Sequence, residues 1–247
     1  MIKKIFYGIN LFMISITLPF SFYVDIDKRR LKSIDVFNGV ANTQIILIGE
    51  SHSDPFYKNW IISHLDRLKN LGITYLAIEI IPASYQSLLD AYFEAQTEEI
   101  KNHIWKMLYK NLYLIHKMGE SLIVTQDDYD EIEENLAEDM EAGRYDSEIK
   151  EMADNYLRLI NEAVRRGIKI IGIGTTFFEF YRITIQGYEN YMAERIKDYS
   201  KDGKILVLVG AGHINPRIAE EKGREIYGYL PEILSQAGYT CHTLLPK

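Results

Sequence analysis

Short apolar runs alternate with amphipathic stretches along most of the chain. The clearest run covers residues 45–48, and its continuous hydrophobicity predicts a strand that is buried on both faces of a sheet. Gly49 ends this run, and Asp54 followed by Pro55 supplies a helix N-cap with proline at the first helical position. This order of strand, polar loop and capped helix predicts the first half of a βαβ unit.

The remaining apolar runs extend the pattern to an α/β fold. Further strands are predicted over residues 73–81, 168–172, 204–209 and 239–245, and helices over residues 54–71 and 188–199. Strands that alternate with helices favour a mostly parallel sheet flanked by helices. Residues 84–167 instead predict several consecutive helices, which are too many for one crossover. We therefore expect a helical insertion over the C-terminal edge of the sheet.

The first 24 residues differ from the rest of the chain. Lys3 and Lys4 precede an almost uncharged apolar run over residues 5–24, as is typical of a signal peptide. The run is also about long enough to span a membrane. We predict one α/β domain over residues 25–247, exported to the periplasm or the medium by a cleaved signal. The alternative is an uncleaved N-terminal anchor, which would be the only contact with a membrane.

The composition and charge of the chain make some classes of binding partner unexpected. The chain has 247 residues, of which 47% are hydrophobic, enough for one α/β domain with a full core. The formal net charge is -7, and no basic stripe with interleaved aromatic residues is present, so nucleic acid is not an expected partner. The acidic stretch over residues 127–141 lacks the glycine and the ligand spacing of an EF-hand. It predicts a solvated helix face.

Acidic and histidine side chains stand where the predicted strands end. Glu50 and His52 follow the first strand, Glu79 lies near the end of the second, and His213 follows the strand over residues 204–209. Both histidines stand in a Gly-x-x-His sequence. Because parallel strands end at one edge of a sheet, these four side chains are expected to converge. They would suit a divalent metal, with His52 and His213 as ligands, or a metal-free acid–base site.

The local surroundings also predict protonation states and a substrate pocket. His52 precedes a helix N-terminus, whose partial positive charge disfavours imidazolium. Glu79 lies in an apolar run, so we expect a raised pKa that suits a general base. Asp54, next to the first motif, and Thr175 and Arg182, on either side of an aromatic segment, are predicted to bind substrate. The chain has no Gly-x-Ser-x-Gly elbow, phosphate loop or HExxH motif, which disfavours a nucleophilic serine enzyme.

Four segments resemble the ChaN-like haem-binding uptake family, which is grouped with the Tiki proteases and the erythromycin esterases. They are GESHSDP at 49–55, LAIEI at 76–80, PASYQSLLDAY at 82–92 and LVLVGAGHI at 206–214. The positions that match the family pattern are Gly49, Glu50, His52, Asp54, Glu79, Gln86, Leu89, Asp90, Gly210 and His213. The segment YMAERI at 191–196 resembles the Met-Ala helix of the family, which a basic residue and an acid usually precede. Glu189 and Asn190 stand there instead, and we include Asn190 among the predicted substrate-binding residues.

The resemblance covers most of residues 40–235, except the acidic helices, and implies a sheet with flanking helices and a helical subdomain. It also implies function: the esterase branch uses His and Glu to activate water, the Tiki branch resembles a metal-dependent protease, and the ChaN branch binds haem for iron uptake. We predict a hydrolase of an ester or amide bond in a small molecule or peptide, with or without a divalent metal. The alternatives are a haem-binding protein of iron uptake and a non-catalytic interaction protein that binds through its acidic insertion.

Overall fold

The structure is a computed structural model that describes residues 22–26, 37, 40–118, 126–176, 185–215 and 229–246. The strands in these residues are β1 (Phe22–Ile26), β2 (Ile45–Glu50), β3 (Ile73–Pro82), β4 (Lys169–Gly174), β5 (Lys204–Gly210) and β6 (Cys241–Pro246). They form one sheet in the order β1-β6-β2-β5-β3-β4, and every neighbouring pair is parallel. The predicted parallel sheet is therefore confirmed.

Helices cover both faces of this sheet. They are α1 (Pro55–Asn70), α2 (Gln86–Ala95), α3 (Glu98–Met118), α4 (Gln126–Glu141), α5 (Ser147–Arg165), α6 (Ile185–Ser200) and α7 (Leu230–Gln236). Side chains of α1 to α5 share one hydrophobic core with one face of the sheet, and side chains of α6 and α7 share a second core with the other face. The fold class is α/β, as predicted.

The centre of the sheet places the ends of three strands side by side. Strand β2 pairs with β5 from Ile45↔Ile205 to Glu50↔Gly210, and β5 pairs with β3 as far as Ile78↔Leu208. The middle parts of β2 and β5 are continuously apolar, as expected of strands that helices cover on both faces, and residues 45–48 are at most 1% exposed. Their parallel direction brings Glu50, the segment after Ile78, and Gly210 to one edge of the sheet.

The predicted helical insertion corresponds to α2 to α5, which follow β3 and precede β4 in the chain. Helix α5 packs against α1 and α3. Gln86 of α2 joins the insertion to the free edge of β4: its amide donates to Ile170 O at 3.0 Å and accepts from Gly172 N at 3.1 Å. The side-chain amide thus pairs with β4 in place of a further strand. The acidic helix α4 buries Leu136 and exposes Glu131, Glu134 and Glu138, as expected of a solvated face.

Two described elements were not predicted. Helix α7 is one, and the other is β1, which pairs with β6 from Phe22↔His242 to Ile26↔Pro246. Strand β1 contains residues 22–24, which the sequence analysis assigned to the N-terminal segment, whereas residues 1–21 lie outside the described part of the chain. Within the described residues, no helix is both long and apolar enough to cross a membrane. A signal peptide or anchor before the strand stays a prediction.

Candidate active site

Three of the predicted site residues surround Gly210 at the end of β5. A methyl group added to Gly210 would lie 3.4 Å from Glu79 Oε2, 3.5 Å from His52 Nε2 and 3.5 Å from His213 Cδ2. His52 Nε2 and Glu79 Oε2 are therefore no farther apart than the sum of the first two distances. Because glycine has no side chain, an imidazole nitrogen and a carboxylate oxygen face the space in front of its Cα, and we call this space the Gly210 position.

A bulge in β3 directs Glu79 toward this position. The register between β3 and β4 shifts between Ile78 and Pro82, and the pairing of β3 with β5 ends at Ile78. Gly174 of β4 lies so close to the Glu79 carbonyl that a methyl group at Gly174 would collide with it. Bulges of this kind change the direction of side chains at the ends of strands. Here the bulge lets Glu79 Oε2 accept the Gly210 N–H at 2.6 Å.

His213 lies between two carboxylates. Its Nε2 is 2.9 Å from Glu79 Oε1, and its Nδ1 is 2.5 Å from Glu189 Oε1. Burial alone would lower the pKa of His213, but the charges of Glu79 and Glu189 and the hydrogen bonds to them raise it to about 10. At neutral pH His213 is therefore an imidazolium ion that donates from both ring nitrogens.

The same contacts correct the expected pKa of Glu79. Burial raises the pKa of Glu79, as the sequence suggested, but the charge and hydrogen bond of His213 dominate together with the charge of His52 and the Gly210 N–H. Their combined effect lowers the pKa of Glu79 to about 2. The prediction of a raised pKa was wrong because the sequence did not show that an imidazolium would contact this carboxylate. Glu79 is an ionised group at neutral pH and a weak base.

A second cluster, on the other side of Gly210 from His213, holds the His52 side chain. The Lys58 ammonium donates to Glu50 Oε2 at 2.6 Å, and the Tyr156 hydroxyl donates to Glu50 Oε1. The Tyr156 oxygen also lies 2.9 Å from His52 Nδ1, and Glu50 Oε1 lies 3.4 Å from that nitrogen. Among the described residues, His52 Nε2 has no hydrogen-bond partner. This nitrogen faces the Gly210 position.

The pKa of His52 also differs from the expectation. Burial alone would lower the pKa of His52, but the hydrogen bond with Glu50 and the charges of Glu79 and Glu50 raise it above its ordinary value of 6.5. We expected the partial positive charge of the helix N-terminus to disfavour the imidazolium. That expectation was wrong, because the carboxylates have the larger effect on the pKa of His52. The side chain of His52 is 25% exposed, whereas that of Glu50 is 1% exposed. His52 is therefore the member of this cluster that a substrate can reach.

Sequence reasoning missed Lys58, Tyr156 and the role of Glu189. Lys58 is 0% exposed on α1, one and two turns before the buried Ile61 and Leu65. A lysine on the apolar stripe of an amphipathic helix was the available signal. Tyr156 likewise lies within the buried stripe of α5. For Glu189 the signal was the resemblance, since an acid near this point was expected.

The predicted substrate-binding residues have diverse surroundings. The Asp54 side chain accepts from Phe56 N at 2.9 Å and caps α1, which is the N-cap role that the sequence predicted. Thr175 follows β4, and its hydroxyl is buried without a hydrogen-bond partner among the described residues. Asn190 is exposed on α6, whereas the neighbouring Glu189 is buried at the site. Arg182 lies outside the described residues. Substrate binding by these four residues stays a prediction.

A metal held by His52 and His213 does not fit these contacts. A histidine binds a metal through a ring nitrogen that carries no proton. Both ring nitrogens of His213 contact carboxylates, so neither nitrogen faces an open coordination position in this arrangement. Among the described residues, no group of three or more His, Cys, Asp or Glu side chains has the geometry to hold a metal ion. The arrangement instead suits acid–base chemistry at His52 beside a fixed carboxylate.

Residues 36–219 match the family described as haem-binding uptake, Tiki superfamily, ChaN. No curated protein matches the sequence. One similar solved structure shows cofacial haem binding to ChaN of Campylobacter jejuni, with 15% identity, coverage of 88% of each chain and a TM-score of 0.49.

Two other similar structures are bacterial effectors. The type III effector HopBA1 is 16% identical over 72% of this chain and 71% of its own, with a TM-score of 0.46. RRSP, a MARTX toxin effector domain from Vibrio vulnificus CMCP6, is 18% identical over 74% of this chain, with a TM-score of 0.43. The chain matches 31% of the length of RRSP.

The His213 contacts predict a specific dependence of stability on pH. The pKa of His213 is about 10 in the folded chain and about 6.5 when its partners are absent, so the contacts stabilise the fold fully below pH 6.5. This stabilisation is lost progressively as the pH rises from 6.5 to 10. In His213→Gln, we expect the free energy of unfolding in urea to fall less steeply over this range than in the unmodified protein.

The exposed His103 supplies a control, since His103→Gln should retain the slope of the unmodified protein. Equal slopes in all three proteins would contradict the assignment. If His213→Gln does not fold, an NMR titration of His213 in the unmodified protein replaces it. A midpoint near pH 6.5 would then refute the imidazolium.

Proposed function

We propose that this chain, which belongs to the haem-binding uptake family ChaN of the Tiki superfamily, is a hydrolase in which an activated water molecule attacks an ester or amide bond. One observation carries the proposal. The Nε2 atom of His52 faces the Gly210 position, while Glu50 and Tyr156 contact the opposite nitrogen of the same ring. A base with its reactive atom toward an open position and its other nitrogen held from behind is the arrangement that general-base catalysis requires.

In the proposed reaction, water occupies the Gly210 position. His52 Nε2 removes one proton from the water, and the resulting hydroxide forms a bond to the carbonyl carbon of the substrate. The imidazolium of His52 then returns the proton to the leaving oxygen or nitrogen as the ester or amide bond breaks. The products are a carboxylic acid and an alcohol or amine, so atoms and charge balance.

Glu79 has an electrostatic part in this proposal. With a pKa of about 2 it is ionised at neutral pH and does not remove the proton from water itself. Its charge lies beside His52 and favours the imidazolium that forms during the reaction. His213 and the Gly210 N–H hold the carboxylate in place. This division of roles replaces the sequence-based hypothesis in which Glu79 is the general base.

Substituting Gly210 with alanine tests whether the Gly210 position is the place of reaction. The backbone of Gly210 has φ -56° and ψ 138°, which any residue adopts, and the added methyl group would meet its neighbours at 3.4 to 3.5 Å. We therefore expect Gly210→Ala to fold with little change in Tm. The methyl group would occupy the place of the water, so kcat/KM should fall by about 100-fold or more.

The measurement uses a panel of chromogenic esters and fluorogenic peptides. His52→Asn should lose activity to the same extent as Gly210→Ala. The exposed Lys106 of α3 supplies a control, since Lys106→Met should keep full activity. A Gly210→Ala protein with unchanged kcat/KM, or an unmodified protein that hydrolyses no member of the panel, would contradict the proposal.

Haem binding is the second candidate function, and the family match is the observation that favours it. The hydroxyl groups of Tyr156 and Tyr188 donate to Glu50 and Glu79, and burial together with these carboxylates raises the pKa of both tyrosines well above the ordinary value. An iron ligand of this type requires the phenolate. We therefore expect a haem to find its ligand elsewhere than at these two tyrosines, whose hydroxyl groups are already bound to carboxylates.

Titration with haemin tests this second function. Haem binding predicts a saturable shift of the Soret band at micromolar protein, and it predicts that Tyr156→Phe leaves the shift unchanged. A titration without a saturable shift would remove haem as a ligand. The hydrolase proposal is separable, because it predicts that His52→Asn abolishes hydrolysis whether or not haem binds.

A further inference from the structure

Four side chains form a hydrogen-bonded chain from the core to the Gly210 position. It runs from Lys58 through Glu50 and Tyr156 to His52, and each link has a defined direction. An ammonium group only donates hydrogen bonds, so the carboxylate oxygen of Glu50 that faces Lys58 accepts. The other oxygen of Glu50 accepts from the Tyr156 hydroxyl.

The direction of the last link follows from the single proton of a phenol. Tyr156 gives this proton to Glu50, so its oxygen accepts the hydrogen bond from His52 Nδ1 at 2.9 Å. The other near neighbour of Nδ1, Glu50 Oε1 at 3.4 Å, is also an acceptor. Both neighbours of Nδ1 thus require a proton on that nitrogen. The raised pKa of Tyr156 agrees with this direction, because it keeps the phenol protonated.

We infer that Tyr156 and Lys58 are positioning residues that fix neutral His52 in the tautomer with its proton on Nδ1. The lone pair then lies on Nε2, the nitrogen that faces the Gly210 position. In the other tautomer Nε2 would carry the proton and could not accept one from water. This inference deepens the proposed function and rests on it for its catalytic consequence. The tautomer itself is a property of the resting protein.

Lys58 supports the inference in a second way, because it holds the loop that carries His52. Its three donors contact Glu50 Oε2 at 2.6 Å, His52 O at 3.0 Å and Asp54 O at 3.1 Å, so the buried ammonium is fully satisfied. The same ammonium lies 4.4 Å from the centre of the Tyr156 ring, where a cation–π contact orients the phenol. One lysine thus fixes the backbone of the loop, the carboxylate and the phenol.

The test is NMR of the full-length protein labelled with ¹⁵N. Long-range ¹H–¹⁵N correlations distinguish the two neutral tautomers, and comparison with His52→Asn assigns the signals of His52 among the six histidines. At a pH where His52 is neutral, we expect the Nδ1–H tautomer in the unmodified protein. An Nε2–H tautomer there would overturn the inference.

Two variants change the direction of these hydrogen bonds without leaving a buried charge on Tyr156 or His52. Tyr156→Phe removes the acceptor nearest to Nδ1, and Glu50→Gln supplies an amide that donates to Tyr156, which is then free to donate to His52. The second variant is combined with Lys58→Met, because a buried lysine without its carboxylate would destabilise the fold. The double variant should gain the Nε2–H tautomer. In Tyr156→Phe, Glu50 Oε1 at 3.4 Å is the acceptor that remains near Nδ1, so the share of the Nδ1–H tautomer should fall, and kcat should fall in the same proportion with KM unchanged.

Tyr92→Phe is a matched control. Tyr92 is also buried and donates its hydroxyl to Asn161 Oδ1 at 2.5 Å, away from the site, so its loss should leave the tautomer and kcat unchanged. If the double variant keeps the Nδ1–H tautomer and Tyr156→Phe leaves its share unchanged, Tyr156 does not position His52 and the inference fails. If the tautomer changes as expected but no substrate is hydrolysed by any variant, the inference holds and the proposed hydrolase function fails instead.

Discussion

His213 contacts a carboxylate through each ring nitrogen, Glu79 at 2.9 Å and Glu189 at 2.5 Å, at the edge of the sheet where three strands end. A buried charge without a partner is strongly destabilising, so these groups depend on one another for their ionised forms. The pairing also decides the chemistry. Because His213 holds Glu79 as a carboxylate of low pKa, Glu79 is a weak base, and because both ring nitrogens of His213 contact carboxylates, His213 has no free nitrogen to accept a proton.

The cluster on the other side of Gly210 has a different construction. Lys58 and Glu50 are fully buried partners, and Tyr156 connects them to His52, which alone reaches solvent through part of its side chain. One imidazolium between two carboxylates and one lysine–glutamate pair thus enclose the imidazole of His52. Gly210 completes the arrangement because any larger residue would place a side chain between His52 Nε2 and Glu79 Oε2. The site therefore combines a rigid electrostatic frame with one titrating group.

The sequence predicted the position of this site better than its chemistry. The apolar runs over residues 45–48 and 204–209 identified parallel strands, and parallel strands place Glu50, His52 and His213 at one edge. Protonation states depend on contacts between residues that are distant in the chain. Glu79 receives its low pKa from His213 and from the Gly210 N–H, and hydrophobicity around Glu79 indicated the opposite shift. Tyr156, on the helical insertion, was missed because only the fold brings it to Glu50.

The pH dependence of kcat/KM tests most directly whether His52 is the base that activates water. In the proposed reaction neutral His52 is the reactive form, and its pKa is raised above 6.5, so kcat/KM should rise with pH through a single limb above that value. The carboxylate of Glu79 is ionised down to a pKa of about 2 and should add no limb between pH 4 and pH 6. A rate that is independent of pH from 5 to 9, or a limb near pH 4 to 5 as for a carboxylate base, would contradict this account.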